Sequence, residues 1–328
     1  MTPLQMLEAI KKGQIRALSK AITLVESNHR AHDPFTKELL ALLPSTEPNN
    51  SIRFAISGPP GVGKSTFIEA VGIRLLQDKN NKLAVLAIDP SSPEFGGSIL
   101  ADKTRMSDLS TKDRAYVRPS PSGKALGGVT RSTREAIALC ELAGFNHIII
   151  ETVGVGQSEV AASFMTDAFI TLQMPGAGDE IQGMKKGILE RSDIIVVNKC
   201  DQNHKNAADN AISQLTASLQ LTCKKNTWTV PVVGCSSITG KGLDTFLKTL
   251  NKFIEHQKAS GAYEEKRRSQ AIRWFEDELP QRLFETISAQ KEFSKKAAFY
   301  LNEIAVSHHN PIAAVESMIS QLEFKWRT

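Results

Sequence analysis

The chain contains a complete phosphate-binding loop. Residues 58–65, called the phosphate loop below, read Gly-Pro-Pro-Gly-Val-Gly-Lys-Ser and lie between an apolar run at 52–56 and a helical pattern that begins at Thr66. Glycines allow backbone N–H groups to turn toward phosphate oxygens, and the helix N-terminus adds partial positive charge. An ordinary Gly-rich turn is the alternative, but the strand, loop and helix context favours a nucleoside triphosphate site. The predicted binding residues are Gly58, Pro59, Pro60, Gly61, Val62, Gly63, Lys64, Ser65 and Thr66.

Within this loop, two side chains carry distinct chemistry. Lys64 is expected to reach the outer phosphates and to assist catalysis, and the Ser65 hydroxyl is expected to ligate Mg²⁺.

A second motif indicates which base is bound. Asn198-Lys199-Cys200-Asp201, called the base motif below, follows the predicted strand 193–197, which is apolar from Ile194 onward. The Asp201 carboxylate can accept two hydrogen bonds from guanine, whereas adenine offers no such donor pair. The tetrapeptide alone could be a chance solvated loop, but its place at a predicted strand end favours GTP over ATP. Asn198 and Lys199 are expected to contact the base as well.

A third segment also indicates that the bound base is guanine. The apolar residues 230–234 lead into Cys235-Ser-Ser-Ile-Thr-Gly-Lys-Gly242, called the base loop below. It is similar to the short base-contacting loop that follows the last strand of GTPases. Ser236 and Ser237 are therefore predicted to lie at the nucleotide.

Two carboxylates end predicted strands of the same sheet. Asp89 follows the apolar residues 83–88, and Glu151 follows 147–150. Ligands of parallel α/β sheets bind at the carboxyl edge, so both carboxylates are predicted near Mg²⁺. For Asp89 the alternative is a turn-forming Asp-Pro pair. Gly154, which closes the sequence Glu-Thr-Val-Gly, is predicted to approach the γ-phosphate with its N–H group.

The elements that position these residues alternate between strand and helix. The predicted strands are 52–57, 83–88, 147–150, 168–172, 193–197 and 229–233. This alternation predicts an α/β fold of the P-loop NTPase type, with a mostly parallel sheet covered by helices and helical extensions at both ends. The predicted domains are an N-terminal helical extension at 1–45, a GTPase domain at 46–256 and a C-terminal helical region at 257–328.

The C-terminal region carries an apolar stripe at helical spacing. Trp274, Phe275, Leu279, Leu283 and Phe284 belong to it, and Pro280 is expected to kink or divide the run. Such a stripe is either core packing or a subunit interface, and we interpret this one as a dimerisation surface.

Composition narrows the class of protein. The chain has 328 residues, 41% hydrophobic and 23% charged residues and a net charge of +5, all ordinary for a globular protein. No basic stripe with interleaved aromatics appears and no apolar run reaches the ~18 residues of a membrane span, so neither nucleic acid nor membrane is an expected partner. Four dispersed cysteines suit a reducing compartment, which favours the cytoplasm.

Longer motifs add a specific resemblance. Residues 89–93, 97–106, 127–131, 151–159 and 178–187 together resemble the MeaB/ArgK-type family, P-loop GTPases associated with adenosylcobalamin-dependent methylmalonyl-CoA mutase. The resemblance covers essentially the whole chain. It implies a homodimeric GTPase that acts as a chaperone for the mutase, coupling GTP binding and hydrolysis to cobalamin loading and to protection of the mutase.

The resemblance also implies roles for individual residues. Asp89, Asp102 and Glu151 are placed around Mg²⁺ and the γ-phosphate. Residues 178–190 are a loop that responds to the client, with Asp179 and Lys185 as contributors to catalysis. A GTPase of this kind can be slow until a partner orders a missing group, and here the client could bring Lys185 or an Arg from 105–134 toward the phosphates.

Two other functions share the phosphate loop. A kinase could use it to phosphorylate a protein, such as an amino-acid-binding protein, but the sequence supplies no dedicated acceptor site and the base motif disfavours ATP. A metallochaperone GTPase of the nickel-insertion type has the same fold class, but generally needs a Cys/His cluster that the sequence does not show.

Changing the base motif tests the guanine prediction. Asp201→Asn replaces an acceptor by a side chain with a donor, so GTP affinity should fall at least about 100-fold while xanthosine triphosphate, which carries a carbonyl at that place, is gained. Equilibrium binding of the two nucleotides to purified wild-type and variant protein measures both effects. Unchanged GTP affinity in the variant would remove Asp201 from the base site.

Overall fold

The computed structural model describes residues 1–27, 33–43, 51–89, 106–121, 126–152, 157–176, 190–201, 205–222, 228–307 and 310–322. The chain forms two compact units, residues 1–270 and 271–328. The polar residues 44–50, which separate the predicted N-terminal helices from the first strand, lie outside the described ranges.

The first unit contains a seven-stranded sheet in which all paired strands are parallel. Its order is β3-β2-β4-β1-β5-β6-β7. Because the strands are parallel, their carboxyl ends all meet at one edge, where the predicted site residues lie. The strands are β1 (Ile52–Ser57), β2 (Leu83–Asp89), β3 (Ala115–Pro121), β4 (His147–Glu151), β5 (Ala168–Gln173), β6 (Ile194–Val197) and β7 (Val232–Gly234).

Helices precede, connect and follow these strands. In chain order they are α1 (Pro3–Lys11), α2 (Ile15–Glu26), α3 (Pro34–Ala41), α4 (Lys64–Leu75), α5 (Ser107–Ser110), α6 (Leu126–Leu142), α7 (Gln157–Ser163), α8 (Lys205–Thr222), α9 (Leu243–Ala259), α10 (Ala262–Ser288), α11 (Lys291–Ser307) and α12 (Pro311–Ser320). Among the helices described, none is long and apolar enough to cross a membrane.

Side-chain alternation along the strands supplies two hydrophobic layers. In β1, Ala55 faces one layer, while Phe54 and Ile56 face the other. The Ala55 layer also holds side chains of α1, α2, α3 and α6, and the opposite layer holds side chains of α4 and α9. Burial on both faces explains why the strands read as continuous apolar runs instead of alternating ones.

The N-terminal helices pack into the first of these layers. Met6, Ile10, Leu18 and Ile22 are fully buried there. Helix α1 begins with a capping box, in which the Thr2 hydroxyl accepts from the Gln5 backbone N–H and the Gln5 side chain accepts from the Thr2 N–H. The helical character predicted for the chain's beginning is thus confirmed, while the proposed domain boundaries at residues 45 and 256 stay predictions.

One strand was not predicted. β3 lies between β2 and β4 in the chain, and it forms the edge of the sheet beside β2. Its prolines, Pro119 and Pro121, lack N–H donors and are tolerated because an edge strand has a neighbour on one side only. Arg118 forms an ion pair with Glu26 of α2, which gives this edge a polar contact to the N-terminal helices.

Two further boundaries differ from the prediction. β7 comprises Val232–Gly234, so the predicted strand at 229–233 begins too early. Helix α10 runs from Ala262 to Ser288 with Pro280 inside it, so the proline does not divide the helix. Proline removes one N–H donor and crowds the preceding turn, and the remaining hydrogen bonds of a long helix can carry that local loss.

A buried network of charges closes the amino edge of the sheet. Arg267 of α10 donates from Nε and Nη2 to the two carboxylate oxygens of Asp167, at 2.5 and 2.7 Å. Arg53 at the start of β1 donates from Nε and Nη2 to Glu141 of α6, both at 2.6 Å. The Tyr263 hydroxyl donates to the Ser51 carbonyl at 2.9 Å. These bonds fix the first turns of α10 to the sheet within the first unit.

The network also holds one carboxylate ionised. Burial alone would raise the pKa of Glu141, but hydrogen bonds from Arg53 and Ser51 hold that pKa below its usual value. A lowered pKa in the folded state means that this contribution to stability is present above the unfolded-state pKa. It is lost as the pH falls toward the folded-state pKa.

Neighbouring arginines on α10 provide a matched test of this network. Arg267→Met should lower the free energy of unfolding by about 3 kcal/mol, because it leaves the buried Asp167 carboxylate without its charged partner. Arg268 is 68% exposed and paired with Glu265, so Arg268→Met should change stability by less than about 0.5 kcal/mol. Urea unfolding at neutral pH measures both, and equal losses in the two variants would contradict the assignment.

Candidate functional site

The phosphate loop lies where the sequence predicts it, between β1 and α4. Gly63 precedes the first residue of α4 with φ 91°, and Lys64 and Ser65 form the first turn of the helix. The loop therefore presents the N-terminus of a twelve-residue helix, whose free N–H groups can bind phosphate oxygens. Val62 is buried beneath the loop, while Pro60 and Thr66 are exposed at the surface.

Two glycines of the loop are required by close neighbours. A Cβ on Gly58 would lie 2.6 Å from the carbonyl oxygen of Leu172 in β5. A Cβ on Gly63 would lie 2.9 Å from Nδ2 of Asn198. Gly61 differs, because it has φ 78° but a Cβ there would meet nothing within 4 Å. The phosphate loop is thus pressed against β5 and the base motif at two points.

Lys64 folds back over the loop that it belongs to. Its Nζ donates to the carbonyl oxygens of Gly58 at 2.7 Å and Pro59 at 3.1 Å. This places the ammonium group beside the loop, from which a flexible side chain can turn to an incoming phosphate.

Two predicted metal ligands are brought into contact. The Ser65 hydroxyl donates to Oε1 of Glu151 at 2.9 Å. Ala87 pairs with Glu151 in the register of β2 and β4, so the backbone of Asp89 lies two residues farther along the same edge. A hydroxyl and carboxylates are the oxygen donors that Mg²⁺ prefers, so these residues fit the predicted ion.

The other residues predicted to bind Mg²⁺ or the phosphates are not described by the structure, or are described only in their backbone. Among the described residues, no three His, Cys, Asp or Glu side chains come together as a metal site. Asp102, Gly154, Asp179 and Lys185 lie outside the described ranges, and for Asp89 only the backbone is described. Their assigned roles stay predictions.

Asn198 connects three parts of the site. Its Nδ2 donates to the Val62 carbonyl at 2.9 Å. Its Oδ1 accepts from the backbone N–H of Ser237 at 3.2 Å and from the Ser237 hydroxyl at 2.7 Å. The side chain is buried, so one amide ties the phosphate loop to the base loop from within the base motif.

The rest of the base motif lies next to this amide. Lys199 adopts φ 61°, and its Nζ donates to the Gly61 carbonyl at 2.8 Å. Ser236 is buried, and its backbone N–H donates to the Lys241 carbonyl at 2.9 Å. Asp201 is half-buried directly after the motif's turn. The predicted base residues therefore gather at one end of the phosphate loop.

Cys200 of the base motif and Cys235 of the base loop are joined through their backbones. The Cys200 N–H donates to the Cys235 carbonyl at 2.9 Å, and the Cys235 N–H donates to the Val197 carbonyl at 2.7 Å. Burial raises the pKa of the Cys235 thiol to about 12 and also raises that of Cys200. Both thiols are therefore protonated near neutral pH and serve as packing.

Sequence reasoning missed Leu172 and Met174 at the end of β5. Leu172 meets Gly58, and the Met174 sulfur lies 3.8 Å from Nζ of Lys199. Neither residue carries a motif signal, since Leu172 lies in an apolar strand and Met174 directly follows that strand. Only the pairing of β5 with β1 and β6 brings them to the site.

Comparisons with known proteins point to one family. The family model described as methylmalonyl-CoA mutase-associated GTPase MeaB matches residues 18–292. A probable GTPase of Mycobacterium tuberculosis is 46% identical over 268 residues, which are 81% of this chain and 79% of that protein. The GTPase ArgK of Escherichia coli is 38% identical over 317 residues, covering 96% of this chain and 94% of that protein.

A solved structure has a similar fold. The crystal structure of a protein described as an LAO/AO transport system kinase has a TM-score of 0.72 and 30% sequence identity, and it covers 97% of this chain and 96% of its own.

Paired glycine substitutions test how tightly the phosphate loop is held. Gly58→Ala should destabilise the nucleotide-free protein by several kcal/mol, because backbone of β5 cannot move away from the added Cβ. Gly61→Ala should cost only about 1–2 kcal/mol, the strain of a left-handed residue in open space. Urea unfolding without nucleotide measures both. Equal losses would mean that backbone strain alone, and not the contact with Leu172, requires Gly58.

Proposed function

The chain belongs to the MeaB/ArgK family of GTPases associated with methylmalonyl-CoA mutase, and from this premise we propose that it is a GTP-hydrolysing chaperone for an adenosylcobalamin-dependent mutase of that kind. The observation that carries the proposal is the family match over residues 18–292, since it spans both the nucleotide site and the helices around it. The chaperone cycle loads the cobalamin cofactor and protects the mutase from inactivation.

The nucleotide part of the proposal is supported by the Asn198 amide. It holds the phosphate loop and the base loop at a fixed separation, as a ligand with phosphates at one end and a base at the other requires. In the proposed complex, Asp201 and the base loop bind guanine, while Lys64 turns to the outer phosphates.

Mg²⁺ belongs to the proposed complex as well. Ser65 and Glu151 are in contact at 2.9 Å and would hold it, with Asp89 and Asp102 as the further proposed ligands. When bound, the ion supplies positive charge to the phosphate oxygens. The chain's own contribution is positioning, because Ser65 is fixed by α4 and Glu151 by the end of β4.

A second copy of the chain is the other proposed partner. The unit at 271–328 carries many large apolar side chains that are exposed in the single chain, although soluble proteins rarely leave such sets uncovered. Contact between two copies of the chain would bury these apolar side chains, which supports a homodimer formed through the C-terminal helices. The exposed residues are Ile272, Phe275, Leu279, Leu283, Phe284, Phe299, Leu301, Val306, Ile312, Val315 and Ile319.

A kinase is the second candidate function. It is favoured by the solved structure described as a transport system kinase, which is 30% identical to this chain. The two functions differ in the fate of the γ-phosphate, which either leaves as free phosphate or is transferred to an acceptor.

GTP turnover separates these candidates. Purified protein is incubated with GTP labelled at the γ-phosphate, with and without an adenosylcobalamin-dependent methylmalonyl-CoA mutase. Release of free phosphate that the mutase stimulates supports the chaperone. Label on another protein or metabolite, with no stimulation of hydrolysis by the mutase, would contradict the chaperone hypothesis and favour the kinase.

Adjacent lysines test how the client acts. Lys185→Ala should remove most of the client-stimulated rate, because the proposed role of this ammonium group is to stabilise charge on the phosphates once the client is bound. Lys186→Ala is the matched control and should keep the stimulation. Client-stimulated hydrolysis that survives Lys185→Ala would exclude the lysine and leave an arginine from 105–134 as the candidate.

A further inference from the structure

Met174 connects the end of β5 with the base motif. It directly follows Gln173, whose carbonyl accepts a hydrogen bond from the Asn198 N–H at 2.8 Å. Its side chain is half-buried and packs against the hydrophobic layer that also contains α4 and α9. The Met174 sulfur lies 3.8 Å from Nζ of Lys199. One face of Met174 is thus anchored in the core, and its sulfur meets the base motif.

Lys199 needs such support because its backbone is strained. A residue with a Cβ pays roughly 1–2 kcal/mol for the left-handed conformation, and Lys199 has φ 61°. Strain of this kind persists only where surrounding contacts fix it. Among the described residues, the Lys199 ammonium group contacts the Gly61 carbonyl at 2.8 Å and the Met174 sulfur at 3.8 Å.

Both contacts are made by the same atom, Nζ of Lys199. Gly61 belongs to the phosphate loop, and Met174 directly follows β5, so the Lys199 ammonium group joins these two parts of the site. A free lysine side chain loses up to about 2 kcal/mol of rotamer entropy when it is fixed. A protein that has already fixed Lys199 does not pay that cost again when a base binds along its stem.

We propose that Met174 is a positioning residue for the guanine nucleotide, which keeps the Lys199 stem in place along the purine and so sets how long GDP and GTP stay bound. The proposal rests on the proposed guanine site. It adds a residue that touches no phosphate and lies outside every nucleotide motif. Thioethers suit the task because methionine is flexible and polarisable and can fill the space beside a charged side chain.

Truncation should expose this role in the rate of nucleotide release. In Met174→Ala the Lys199 side chain keeps Gly61 and loses its second support, so GDP should dissociate about tenfold faster, which corresponds to about 1.4 kcal/mol. Met174→Leu retains the bulk but lacks the sulfur that Nζ of Lys199 contacts, so its release rate should lie between those of the wild type and Met174→Ala. Met174→Val has a shorter side chain and should increase the rate of GDP release by an intermediate amount. This variant replaces Met174→Ala in the test if Met174→Ala does not fold.

The experiment is stopped-flow release of GDP that carries a fluorescent methylanthraniloyl group, chased with excess GDP. Leu247→Ala is the matched control, because Leu247 is a half-buried residue of the same hydrophobic layer on α9. Thermal unfolding of every variant shows which are folded. The proposal requires faster release in Met174→Ala and a wild-type rate in Leu247→Ala.

A double-mutant cycle with Lys199 separates positioning from general loosening. If Met174 acts through Lys199, then Lys199→Ala combined with Met174→Ala should release GDP no faster than Lys199→Ala alone. Additive increases, an equal increase in Leu247→Ala, or an unchanged rate in Met174→Ala would each overturn the proposal. A wild-type protein that binds no GDP overturns the guanine site itself, so the two failures are distinguishable.

Discussion

The nucleotide site depends on one buried amide. Asn198 donates to the phosphate loop at Val62 and accepts from the base loop at Ser237. A single side chain therefore fixes two loops that are far apart in the sequence. A buried amide that loses a partner costs about 1–3 kcal/mol, which makes any other spacing of these loops unfavourable. The distance between phosphates and base is therefore built into the protein before a nucleotide binds.

The parallel sheet is what makes this connection possible. β1, β5 and β6 are neighbours, and they deliver the phosphate loop, Met174 and the base motif to the same carboxyl edge. At the opposite edge, Arg267 and Asp167 attach the start of α10 to the sheet. The catalytic edge thus carries loops that can meet a ligand, and the other edge carries charge pairs that hold the framework rigid.

Much of this architecture could be predicted from the sequence. The central strands are continuous apolar runs, because both faces of the sheet are buried, and such runs are visible without a structure. β3 escaped prediction because an edge strand can carry Arg118, Pro119 and Pro121, which break the apolar pattern. For Pro280 the prediction failed in the opposite direction, because a proline expected to kink or divide the helical run lies inside the continuous helix α10.

By itself the sequence determined the class of ligand and supplied the residues predicted to bind it, because the phosphate loop and base motif are short and contiguous and their backbone geometry is local. The tertiary structure alone decided which groups touch. Ser65 bonds Glu151, Asn198 bonds Val62 and Ser237, and the Met174 sulfur contacts Lys199. Most of these contacts join residues far apart in the chain, and they depend on the order and register of the strands, which local periodicity does not specify.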